Sequence, residues 1–122
     1  MSKDKVIIWH NTRCRKSREG FKLLDTIAGE KGVEIEVRDY LKNPPEPQEL
    51  KQVLQMMGKS PRDILRKQEK IWKEQFKGKE HTDDELIALM SENPKLIERP
   101  VVIYKGKAVL GRPAENIKNL FE

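Results

Sequence analysis

The chain contains one cysteine, Cys14, in 122 residues. A lone thiol excludes an internal disulfide and a thiolate-rich zinc site. Any disulfide chemistry must therefore recruit a thiol from another molecule, and reducing surroundings are expected. Long apolar runs are also missing. No stretch approaches the roughly 18 residues of a membrane span, and "MSKDKVIIW" carries too short an apolar segment for a signal peptide. The expectation is a soluble cytoplasmic protein with no membrane partner. Internal repeats, low-complexity tracts and flexible linkers are absent too, which at this length suggests one domain over 1–122.

Charge is plentiful. Charged residues make up 37% of the chain and hydrophobic residues 36%, so a small core and a heavily solvated surface are expected. The formal net charge is +5, which raises the question of an anionic partner. The excess is concentrated: residues 1–20 hold Lys3, Lys5, Arg13, Arg15, Lys16 and Arg18 against Asp4 and Glu19. A spread basic face would favour nucleic acid. A focused one favours a small anion, and no nucleic-acid recognition motif is present, so that partner is not expected.

The order of elements can be read from periodicity and punctuation. "KVIIW" is short, β-branched and aromatic, a buried strand. Phe21, Leu24, Ile27 and Ala28 have helical spacing, ending near Gly29 or Gly32. "VEIEVRDY" alternates as a strand with one wet face. "KNPPEPQ" interrupts, and "QELKQVLQMM" is an amphipathic helix ending on Gly58. "SPRDILRK" predicts a helix with Ser60 as N-cap and Pro61 at its first position. "KQEKIWKEQFKGKE" predicts a polar connector with little to give a core. Thr82 and Glu85 form a capping box opening "TDDELIALMSENP". "PVVIY" and "AVL" flank a "KGK" hairpin turn, and "RPAENIKNLF" predicts a last helix with Pro113 at its start. The fold class is thus α/β: a thioredoxin-like mixed sheet, βαβ plus ββα, with helices on both faces and a helical insertion at about 47–92 between the halves.

Cys14 falls where the first strand gives way to the first helix. There the unpaired N–H groups and the helix dipole favour a thiolate, and neighbouring cations push the same way. The same place attracts an oxyanion. A phosphatase loop would need an arginine six residues after the cysteine, where Gly20 stands. A dithiol loop would need Cys-x-x-Cys, but the sequence runs Cys14-Arg-Lys-Ser17. Ser17 can donate a hydrogen bond to the thiolate or cap the helix. Arg66, Arg99 and Arg112 stand out by their settings. Two of them precede prolines at ends of adjacent strands, and Pro100 occupies the place where thioredoxin folds carry a cis proline facing the active-site loop. A guanidinium fork suits oxyanion binding.

"HNTRCRKSR", "NPP" at 43–45, "LRK" at 65–67, "TDDELIALM", "NPKLIERPVVI" and "GRPAE" together resemble the glutaredoxin-coupled arsenate reductases over nearly the whole chain. The resemblance implies that Cys14 is the nucleophile toward arsenate and that Arg66, Arg99 and Arg112 bind the oxyanion. It also implies that His10 tunes the thiol and that Asn11 and Ser17 line the loop. It implies external glutathione and glutaredoxin as reductants and no bound cofactor. The family usually places small residues after the cysteine, whereas Arg15 and Lys16 stand here. Two other readings share the fold. One is a glutathione-dependent thiol oxidoreductase without arsenate activity. The other is an Spx-type regulator that binds RNA polymerase, which Ser17 and "GRP" at 111–113 argue against.

Overall fold

The structure, a computed structural model, describes residues 4–122; Lys3, counted in the N-terminal basic cluster, lies outside them. The strands are β1 (Lys5–Trp9), β2 (Glu34–Arg38), β3 (Val101–Tyr104) and β4 (Lys107–Leu110). The α-helices are α1 (Arg15–Lys31), α2 (Pro47–Met57), α3 (Asp83–Glu92) and α4 (Asn116–Asn119). The strands form one sheet in the order β2-β1-β3-β4. β1 runs parallel to β2, with Ile8 opposite Val37. It runs antiparallel to β3, with Ile8 opposite Val102, and β3 is antiparallel to β4. This is the thioredoxin-like mixed sheet.

The alternation of side chains along a strand divides the core in two. Val6 and Ile8 of β1, with Val102 and Tyr104 of β3, pack against Leu24, Ile27 and Ala28 of α1 and Ile117 of α4. Trp9 and Val101 point to the opposite face, where they meet Leu50, Val53 and Leu54 of α2 and Leu86, Ile87 and Met90 of α3. One face thus carries the helix that starts at Cys14. The other is covered by the segment between β2 and β3.

Several local devices behave as their residues require. α1 stops at Gly32, whose φ of 67° suits glycine, and its N–H donates to the Ala28 carbonyl. Thr82 and Glu85 close a reciprocal capping box on α3. The β3–β4 turn places Lys105 at φ 48° and Gly106 at φ 75°. Two successive left-handed residues match the twist of a tight hairpin, and glycine supplies one of them without penalty.

Three expectations need correction. Pro61–Ile64 forms a 3-10 turn rather than an α-helix. Ser60 and Asp63 cap each other there, and the chain becomes extended at Leu65, which pairs with Ile97. The segment after Arg66 is not a bare polar connector: Trp72–Phe76 is a π-helical turn, Trp72 is 8% exposed, and Ile71 and Phe76 pack beside it. Its aromatics are spaced so that a wide turn brings both inward, a pattern hidden by the lysines and glutamates between them. The last helix is short. From Pro113 onward the N–H groups of Asn116, Ile117 and Lys118 bond carbonyls three residues back, so only Asn116–Asn119 is α-helical.

Candidate active site

The β1–α1 junction is held by its own side chains. His10 Nδ1 and Ser17 Oγ share a 2.7 Å hydrogen bond, and the Asn11 N–H donates to the same Ser17 oxygen at 3.0 Å. Asn11 Oδ1 accepts from the Arg13 N–H, and the Asn11 carbonyl accepts from the Cys14 N–H. Ser17 is fully buried and His10 is stacked on Phe21 at 5.1 Å. Burial lowers the His10 pKa, with Asp39 raising it and Arg18 lowering it, and the net direction is downward. The imidazole is therefore neutral at neutral pH. Ser17 neither caps α1 with its side chain nor offers its hydroxyl to the thiol; it ties His10 to the loop, and its contribution to Cys14 is a backbone N–H.

Cys14 occupies the N-cap position of α1 in extended conformation and is half-buried. Arg99 Nε donates to Cys14 Sγ at 3.0 Å across 85 positions of sequence. Burial by itself would push the thiol up. The Arg99 hydrogen bond, the Ser17 N–H, the Arg99 charge and the Lys16 N–H outweigh it, and the thiol lies below its ordinary value. The thiolate is thus favoured by one guanidinium and the helix start. The cations adjacent in sequence do other things. Arg15 and Lys16 both pair with Glu19, with side chains 86% and 58% exposed. Arg18 donates to the Thr12 carbonyl.

The three remote arginines do converge, linked by two carboxylates that the sequence did not single out. Arg99 Nη1 lies 4.0 Å from Glu69 Oε1, and Arg66 Nε donates to that same oxygen at 3.3 Å. Arg66 Nη1 donates to Glu98 Oε1 at 2.5 Å, and Arg112 Nη1 donates to Glu98 Oε2 at 3.4 Å. The order is Cys14, Arg99, Glu69, Arg66, Glu98, Arg112: an unbroken alternation of anion and cation once the thiol ionises. Backbone pairing fixes it. The Arg66 N–H donates to Leu96 and the Glu98 N–H to Ile64, so residues on either side of the Leu65–Ile97 bridge hold their side chains to one point.

Pro100 follows a cis peptide bond, as does Pro113. A Cβ on Gly20 would stand 2.7 Å from the Pro100 ring, and one on Gly111 would stand 2.9 Å from it. Only glycines let this proline lie between α1 and the end of β4, where Arg99 meets the thiol. Tyr40 is the remaining member that sequence reasoning missed. It is 1% exposed, and its hydroxyl is the buried side-chain polar atom without a hydrogen-bond partner among the described residues. Burial pushes its pKa up to about 12, with Arg99 and Arg66 lowering it and Cys14 and Glu98 raising it. The phenol therefore stays protonated beside the charged row.

A cavity of about 630 Å³ is lined by Glu69, Ile71 and Glu92, and so touches the charged row at Glu69. A cleft of about 440 Å³ lies between Lys16 and Glu19 of α1 and the Arg112–Pro113 turn. This cleft meets the charged row at Arg112, on the α1 side. Among the described residues no group of three His, Cys, Asp or Glu side chains is placed to hold a metal ion.

Fold and site define a thioredoxin-like protein built around one thiol and a set of remote arginines. Comparison with known proteins agrees and narrows the class. The model of the ArsC family matches residues 9–120. An arsenate reductase of Neisseria meningitidis serogroup A is 39% identical over 115 residues, 93% of this chain and 95% of that protein. The uncharacterized protein YfgD of Escherichia coli K12 is 42% identical over 114 residues, 92% of each chain. The structure of an arsenate reductase from Vibrio cholerae has a TM-score of 0.87 at 39% identity, covering 98% of this chain and 99% of that one. The chain belongs to the ArsC family.

Proposed function

We propose that this protein reduces arsenate to arsenite through a covalent adduct at Cys14, with glutathione and glutaredoxin as external thiols. The observation that carries the reading is the 3.0 Å contact from Arg99 Nε to Cys14 Sγ at the head of the arginine row. It supplies a nucleophile and an anion-binding charge at one point. Relatives named arsenate reductase at 39% identity support the substrate.

In this mechanism Arg66, Arg99 and Arg112, with the N–H groups at the start of α1, hold the oxyanion. The Cys14 thiolate attacks arsenic, an arsenic–oxygen bond breaks, and water leaves. Glutathione adds its sulfur to arsenic with loss of a second water. The glutaredoxin thiolate then attacks the glutathione sulfur. The sulfur–arsenic bond breaks with its electron pair passing to arsenic, which becomes As(III), and a glutaredoxin–glutathione disulfide leaves. Water releases arsenite from Cys14 and restores the thiol. The arginines offset the charge that the substrate brings in. Pro100, His10, Asn11 and Ser17 set the loop and touch none of the bonds that change. A glutathione pool places this activity in the cytoplasm, and none of the helices among the described residues is long and apolar enough to cross a membrane.

The test is arsenate-dependent NADPH oxidation in the presence of glutathione, glutaredoxin and glutathione reductase. The native protein is expected to turn over and Cys14→Ser to be inactive. Turnover by Cys14→Ser would remove Cys14 from the mechanism, and a native protein inert with every thiol donor would remove the reductase reading. One observation favours a second reading, a glutathione-dependent thiol oxidoreductase: the arginines already bind carboxylates, and glutathione carries two. Faster turnover of a glutathione mixed disulfide than of arsenate would decide for it.

A further inference from the structure

An oxyanion site would be expected to leave its arginines free for the ligand. Here each of the three contacts a carboxylate oxygen within 4.0 Å. With Cys14 ionised, the row of three arginines, two glutamates and one thiolate carries no formal net charge. Cationic attraction is therefore too weak a basis for selecting the ligand, and the acceptor chemistry of the glutamates becomes decisive.

The two carboxylates are not held alike. Glu98 is gripped from both sides, at 2.5 Å by Arg66 and 3.4 Å by Arg112, and its side chain is 20% exposed. Its position is also fixed by the backbone bond from its N–H to Ile64. Glu69 makes the looser contacts, 3.3 Å to Arg66 and 4.0 Å to Arg99, and is 28% exposed. An entering anion can take the place of Glu69 between Arg99 and Arg66, next to the Cys14 sulfur. It then lies beside Glu98, which remains. An ionised carboxylate has only acceptor atoms. A neighbour with lone pairs alone is repelled by it, whereas a neighbour with an O–H donates a charge-assisted hydrogen bond.

We propose that Glu98 is a specificity-determining residue: it makes the site accept tetrahedral oxyanions that carry a proton and reject those that carry none, while Glu69 is the internal anion that the ligand displaces. The inference rests on the oxyanion-binding reading of this site and names the subclass of anion it takes. Hydrogen arsenate and hydrogen phosphate belong to that subclass, and sulfate and selenate do not. The site thus contains donors in the arginines and one fixed acceptor in Glu98. A protonated oxyanion fills that pattern; a bare one leaves the acceptor facing lone pairs.

Phosphate and sulfate make the comparison clean, because at about pH 8 both are chiefly tetrahedral dianions that differ by one proton. The measurement is the rate at which iodoacetamide, an uncharged reagent, alkylates Cys14 in the presence of each anion, with ionic strength matched by chloride. Arsenate and phosphate are expected to protect the native thiol at concentrations about tenfold or more below those needed for sulfate. Glu98→Gln, whose amide can donate as well as accept, is expected to bring the sulfate and phosphate curves together. Glu69→Gln is expected to tighten both anions by a similar factor and leave their ratio intact. Equal protection of the native thiol by sulfate and phosphate would overturn the inference, as would a ratio unchanged in Glu98→Gln. Should Glu98→Gln fail to fold, the native ratio still decides. Protection by no anion at all would overturn this inference and also the oxyanion site; equal protection accompanied by arsenate turnover would overturn the inference alone.

Discussion

Two sets of cations surround Cys14, one near in sequence and one near in space. Arg13, Arg15, Lys16 and Arg18 flank it along the chain. Arg99 reaches it from β3's leading end, and Arg66 and Arg112 join through Glu69 and Glu98. The first set is spent on Glu19, on the Thr12 carbonyl and on water. The second is buried or half-buried and acts at hydrogen-bond distance. A charge on an exposed flexible stem acts through high-dielectric, salt-screened solvent, whereas a partly desolvated guanidinium aimed at a sulfur does not. Proximity along the chain therefore says little about which cations matter to a thiol.

The strongest way to test this contrast is Arg99→Ala. Arsenate turnover is expected to fall about 100-fold, the usual cost of removing one positioned donor at a developing charge. The same substitution is expected to raise the pKa of Cys14, read as a shift of the alkylation rate profile to higher pH. Stability should follow by linkage. The native thiol lies below its ordinary value of 9.0, so the native state binds fewer protons than the unfolded one in between. The stability this contributes is present above 9.0 and lost as pH falls through the native value, and Arg99→Ala should abolish that slope. A profile unmoved by Arg99→Ala would reverse the assignment of the two sets.

Next in size is Arg66→Ala. Its guanidinium separates Glu69 from Glu98 with its own side chain only 10% exposed. Removing it leaves two carboxylates facing each other. A fully buried pair broken in this way costs about 3–5 kcal/mol. Here the carboxylates keep 28% and 20% exposure, and solvent screening brings the expectation to about 2 kcal/mol in denaturant unfolding. Glu69→Gln in the same background should recover part of the loss, since it removes the repulsion.

Ser17→Ala tests the loop rather than the charge row. It strips partners from His10 Nδ1 and the Asn11 N–H inside a buried junction, at an expected cost of about 1–2 kcal/mol. The pH dependence should reveal His10 as well. Its pKa is lowered from 6.5, so below that value the unfolded state takes a proton that the native state resists. Stability should be complete above 6.5 and decline as pH falls from there toward the native value.

The parts of this site that could be read from the sequence are those whose residue types are rare in their settings. A lone cysteine before a helix and arginines before prolines are unusual enough to notice. Glu69, Glu98 and Tyr40 are not: in a chain with 37% charged residues, two more glutamates read as surface, and a tyrosine after a strand reads as core. The roles of Glu69 and Glu98 come from the Leu65–Ile97 bridge, a tertiary pairing with no local signature. The same holds for the fold. The strands and α1 follow from periodicity, while the buried Trp72 turn has a π-helical period that neither the helix nor the strand template contains.

The smallest expected effect closes the comparison from the other side. Arg15→Ala and Lys16→Ala remove the two cations that follow Cys14 in the chain. Each is more than half exposed and, among the described residues, paired only with Glu19, itself 48% exposed. Unfolding free energy should change by no more than about 0.5 kcal/mol. The pH profile of Cys14 alkylation should stay in place, because the Lys16 contribution to the thiol comes from its backbone N–H, which alanine keeps. The double variant should behave as the sum of the singles. A downward shift in thiol reactivity comparable to that of Arg99→Ala would show that the sequence neighbours act through solvent after all, and that the separation of the two sets is one of geometry rather than of effect.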